Sequence, residues 1–154
     1  MIVTLRVDGA GRFSSGPLAG GRWALRIEAT GYRAVETSLN VPHGGEWSNV
    51  EARLQSLRAL AAGAYRPVAL AMLPHARLWG LWTGRETLDH AERHERLPSG
   101  APKLWERVEH ACYGWKSPLP SEVGEIEGQA RAVLDDLAGA SPLGRSAHGP
   151  RSRH

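Results

Sequence analysis

The chain has 154 residues, of which 42% are hydrophobic, a length and composition that fit one soluble domain with a real core and exclude a disordered chain. No apolar run reaches the ~18–20 residues that a membrane helix needs. The formal charge of +3 belongs to residues 139–154, GASPLGRSAHGPRSRH: taking Arg145, Arg151 and Arg153 from nineteen basic residues leaves sixteen, against sixteen acids. That tail holds no acid and little to bury, so it is expected to be a disordered basic extension to a domain spanning 1–138, able to hold phosphates loosely. The single Cys112 cannot form an internal disulfide, and the first residues lack the basic, apolar and small-residue regions of a signal peptide. Both features point to a cytoplasmic protein with no membrane partner.

Residues 2–8 read as a strand with Val3, Leu5 and Val7 on one face. It runs into LRVDGAG, where Asp8 suits either a metal ligand at a strand end or the first residue of a turn. Residues 21–30 alternate, with Trp23, Leu25 and Ile27 opposed to Arg22, Arg26 and Glu28, and Gly31 marks a turn into a third strand over 32–41. Three alternating strands with short connections predict an antiparallel meander. Val50, Leu54, Leu57 and Leu60 then recur at helical spacing, and Gly63 is a fitting stop. The nearly continuous apolar run PVALAML, 67–73, suits a strand buried on both faces. HARLWGLW reads as a helix opened by Pro74, and residues 83–103 are polar and charged. Helical character resumes at KLWERVEHA, ACYGWKS at 111–117 predicts a short last strand, and EIEGQARAVLDDLAG is the final helix. The expected fold class is therefore α/β, with a mixed sheet of about five strands.

That order and several strings resemble the ribonuclease H family over residues 1–138. The carriers are VDGAG after the first strand, GG opening the second, SNVE opening the first helix, and KLWERVEHA before the last strand. The resemblance implies a five-stranded ribonuclease H-like fold of three strands, then helix, strand, helix, strand, helix. It also implies a nuclease in which two Mg²⁺ or Mn²⁺ ions held by four carboxylates cut the RNA strand of an RNA–DNA hybrid. Asp8 falls at the family's first carboxylate and Glu51 at its second. The third position falls at Leu73 and the fourth near Arg131, and the family's loop histidine has no counterpart in SPLPSEVGE. Two divalent ions need oxygen ligands. A leucine supplies none, and an arginine adds repulsion.

The expected function is thus a ribonuclease H-like domain that is catalytically impaired. It would bind nucleic acid, an RNA–DNA hybrid or another form, or serve with a protein partner in an assembly. Two alternatives stand beside it: an active metal-dependent endonuclease with rearranged ligands, and a protein-interaction module that keeps only the fold. Glu127, four residues before Arg131 and so on its helix face, and His75, two after Leu73, are the substitute ligands to consider. Glu127 and Asp135 would otherwise pair with Arg131 along the helix. Glu51 has a second explanation, because SNVE is a capping box in which Glu51 reaches back to Ser48. His90 and His94 have the i, i+4 spacing of a helical metal pair, with no evident third ligand. Arg77, Trp79, Arg85 and Lys103 fall in or near the region where related enzymes carry a basic, tryptophan-bearing substrate handle. Glu86, Asp89, Glu92, Glu95 and Glu106 interleave with them, and Trp82 and Trp105 read as core. Cys112 also reads as core.

Overall fold

Alternation of apolar and polar residues builds a sheet from three short segments, β1 (Ile2–Arg6), β2 (Gly21–Glu28) and β3 (Val35–Val41), in that spatial order. The structure is a computed structural model, and it describes residues 1–44 and 50–139. β2 and β3 pair antiparallel, with Trp23 opposite Leu39 and Ile27 opposite Val35. β1 and β2 pair parallel, with Val3 opposite Leu25 and Leu5 opposite Ile27. This register puts Leu5, Trp23, Leu25, Ile27 and Val41 on one buried face. Thr4, Arg22 and Asn40 lie on the solvated one.

The expected antiparallel meander is corrected at its first pair. A parallel pair cannot be joined by a tight turn, because the chain must travel back along the sheet. Residues 7–20 make that return without a helix, and Phe13 and Leu18 from it cover the apolar face. Residues 50–56 complete the cover. Ala52 and Leu54 point to the sheet, while Glu51, Arg53 and Gln55 point to solvent.

The helical half has α1 (Leu57–Met72), a single 3₁₀ turn (Ala76–Leu78), α2 (Gly84–Arg93), α3 (Ala101–Tyr113) and α4 (Pro120–Gly139). In α1 the buried residues are Leu57, Ala61, Tyr65, Val68, Ala69 and Met72, an unbroken helical stripe. From Ala61 onward they meet Leu104, Val108 and Ala111 of α3 and Ile126, Ala130 and Val133 of α4 in one core. Thr83 and Glu86 open α2 with a capping box: Glu86 N–H donates to Thr83 Oγ1 at 3.2 Å, and Thr83 N–H to Glu86 Oε2 at 2.7 Å. Donation from the Thr83 amide and hydroxyl holds the Glu86 carboxyl below the usual carboxylate range.

Two expected strands are helix. Residues 67–72 belong to α1, with Leu73 as its C-cap, and 111–113 belong to α3. The described residues therefore form an α/β structure with a mixed sheet of three strands and four α-helices, not a sheet of five. A run such as PVALAM is equally apolar as a buried strand or as the end of a buried helix. The alanines before it extend the helical stripe, and length then favours the helix. Pro67 lies inside α1, where its ring removes one helical N–H and is set against the Gly63 carbonyl. The helix expected from residue 48 begins only at Leu57. The expected helix at 74–82 is reduced to the 3₁₀ turn, and α2 forms where the charges predicted only polar chain.

Three positions offer tests of this packing. A Cβ on Gly84 would collide with the Trp105 ring, whereas one on Gly128 meets nothing within 4 Å. Gly84→Ala should destabilise by about 1–3 kcal/mol through overpacking. Gly128→Ala in the middle of α4 should stabilise by roughly 0.5–1 kcal/mol, both read from urea unfolding. The buried Tyr65 hydroxyl has no hydrogen-bond partner, and burial pushes its pKa up to about 12. Because the folded value lies above the ordinary one, Tyr65 favours the folded state below pH ~10 and loses that contribution as pH rises through 12. Absorbance titration of tyrosinate should show a step near 12 that Tyr65→Phe removes.

Candidate functional site

The carboxylates expected to hold metal are engaged elsewhere or separated. Asp8 Oδ1 accepts the backbone N–H groups of Ala10 at 2.9 Å and Arg12 at 2.8 Å, and Gly11 adopts a positive φ of 78° to close the turn. Asp8 Oδ2 faces the Arg12 guanidinium at 3.8 Å. The structure therefore gives Asp8 a turn-forming role. Glu51 is exposed on the extended segment before α1 and not on a helix. Its expected partner Ser48 lies outside the described residues, and Ser56, the actual N-cap of α1, makes no side-chain cap bond. Leu73 is buried at the end of α1, and His75 is exposed before the 3₁₀ turn. Glu127 pairs with Arg33 at 2.7 Å, tying α4 to the turn between β2 and β3. Its expected ion pair with Arg131 is not formed, and Arg131 is exposed. Among the described residues, no group of three or more His, Cys, Asp or Glu side chains converges on one point.

The expected basic handle is spread over three elements. Arg77 and the partly exposed Trp79 belong to the 3₁₀ turn and its C-cap, Arg85 to α2 and Lys103 to α3. Trp105 packs on Tyr65 with ring centroids 5.0 Å apart, as expected of a core residue. Trp82 meets the His90 ring edge-on at 5.3 Å.

A different surface combines exposed aromatics with unpaired cations. Between α3 and α4 lies an open groove of about 680 Å³. Lys103, Arg107 and His110 line it from α3, and Lys116 and Leu119 from the connection to α4. Glu106, Glu122 and Glu125 also line it. Arg107 is neutralised by Glu125 at 2.9 Å, and Glu122 is occupied by the Leu119 N–H at 2.6 Å. Among the described residues Lys103 and Lys116 make no ion pair, although the three glutamates of the groove match its three cations in number.

Tyr113, the last residue of α3, and Trp115, in the connection that follows, are exposed at 78% and 104%. A wholly exposed tryptophan is unusual, since burial of that ring is a large part of what a core can gain. The connection is held in place from below. The Arg58 guanidinium of α1 donates to Cys112 O at 3.1 Å and Gly114 O at 2.7 Å, satisfying carbonyls that the end of α3 leaves open. Gly114 is required there because a Cβ would strike the His110 carbonyl. Cys112 Sγ donates to Arg58 O at 3.6 Å, and burial pushes its thiol pKa up, which suits packing and not nucleophilic attack.

Sequence reasoning missed this surface because ACYGWKS read as a strand. The glycine between two aromatics, followed by SPLP, was the available signal of a turn. No family model, curated protein or solved structure matches the chain. Replacing Arg58 with alanine should leave both carbonyls without their charged donor and destabilise by about 1.5–3 kcal/mol. Faster amide exchange confined first to residues 112–119 would identify the clamp as the cause.

Proposed function

We propose that the chain is a nucleic-acid-binding domain of ribonuclease H-like descent that does not hydrolyse efficiently, and that it binds through the α3–α4 connection. One observation carries the reading: Trp115 and Tyr113 stand exposed on a clamped connection next to Lys116. Aromatic faces stack on unpaired bases and cations hold the intervening phosphates, a combination suited to single-stranded segments. The strings VDGAG, SNVE and KLWERVEHA resemble the ribonuclease H family and so favour nucleic acid as the ligand class, although SNVE does not lead directly into α1 and helix α4 follows KLWERVEHA in place of a strand. Glu106, Glu122 and Glu125 in the groove favour a second reading, a protein partner seated on the same aromatics. Hydrolysis with Mg²⁺ or Mn²⁺ would have to recruit Asp8 away from its turn amides.

Tryptophan fluorescence titrated with single-stranded RNA, single-stranded DNA and an RNA–DNA hybrid tests the proposal. Single strands should quench emission, with affinity that falls steeply as salt rises. Trp115→Ala should weaken binding roughly 5- to 160-fold, the equivalent of about 1–3 kcal/mol for one stacked base. No binding of any of the three at low salt would overturn the reading and leave the protein partner. Metal-dependent cleavage of the hybrid that Asp8→Asn abolishes would instead establish the endonuclease.

A further inference from the structure

We infer that His90 and His94 form a two-imidazole site for a borderline transition ion such as Ni²⁺ or Zn²⁺. Their i, i+4 placement puts both rings on one face of α2, with His94 as the C-cap. The ring centroids are 4.3 Å apart and the planes are inclined at 50°. The i, i+4 spacing on a helix is one at which two imidazoles can share a single ion at the ~2.0–2.1 Å that ligation needs. Trp82 meets His90 edge-on at 5.3 Å and limits the ring's freedom before any ion arrives. Among the described residues neither imidazole is tied up in a hydrogen bond or an ion pair. His94 is exposed, so water or a further ligand can complete the coordination.

Arg93 and Arg96 stand near His90 and oppose an incoming cation. Glu86, one turn before His90, Asp89 and Glu92 offset them on the same helix. Imidazole nitrogen selects nickel, copper and zinc over the oxygen-seeking Mg²⁺. The site is thus separate in chemistry and place from the carboxylates Asp8 and Glu51.

Trp82 supplies the readout. Ni²⁺ added to the full chain should quench tryptophan emission in a saturable way, because a paramagnetic ion on His90 lies beside that ring. Either His90→Ala or the exposed His94→Ala should weaken the saturable phase at least tenfold. Trp82→Phe should keep the calorimetric binding of Ni²⁺ and Zn²⁺ and lose the quench. Lowering the pH to 5 should release the ion, and Mg²⁺ at equal concentration should give no signal. Circular dichroism of each variant separates loss of ligand from loss of fold. Ni²⁺ titrations unchanged in a folded His94→Ala chain, or a full quench retained in Trp82→Phe, would overturn the assignment.

Discussion

The sheet and the helices have separate hydrophobic cores, so the relation between them depends on one narrow polar joint. The turn after β2 supplies it. Leu57 N–H, at the first residue of α1, donates to Gly31 O at 2.9 Å, and Arg33 N–H donates to Gln55 O at 2.9 Å. Tyr32 bridges Ser56 between these two bonds. Gly31 has a φ of 80°, and a Cβ there would press on Ser117. Glycine therefore answers both the backbone conformation and the close approach of the α3–α4 connection. The Arg33–Glu127 pair closes the joint from the side of α4. An exposed ion pair is worth little by itself. Its place is set by the backbone bonds beside it, which fix where α1 starts and hence where every later helix packs.

From that start the helical core transmits position to the α3–α4 connection. α1 packs against both α3 and α4, and its Arg58, one residue after the buried Leu57, reaches the carbonyls that end α3. The buried stripe and the clamp are consequences of one helical phase. If Leu57 and Ala61 face inward, residue 58 is carried round to the end of α3. The exposed aromatics of Tyr113 and Trp115 are thus mounted on the core and not on a free loop.

The acidic residues explain why composition was a poor guide to chemistry. Asp8 shapes a turn, Glu86 and Glu122 cap helix starts, Glu125 neutralises Arg107, and Glu127 joins the two halves. Each of these five carboxylates is satisfied by a backbone N–H or an arginine, Glu127 by one 94 positions away. Carboxylates so engaged are not preassembled around an ion. The two histidines of α2 differ in this respect, since they meet each other and a tryptophan without a polar partner.

The sequence by itself determined the local periods. Alternation located β2 almost to the residue and the cores of β1 and β3, and helical spacing located α3 and α4. Those readings succeed because a half-buried strand and an amphipathic helix impose their period on the chain they use. The tertiary structure decided what period cannot express. It made β1 parallel to β2, because strand direction depends on where residues 7–20 lay Phe13 and Leu18. It turned PVALAM into helix, because an apolar run burying all its sides carries no phase, and only the facing residues of α3 and α4 supply one. It sent Glu127 to Arg33 and left Trp115 in solvent, because pairing across the joint depends on contacts between residues 94 positions apart, which no local pattern contains.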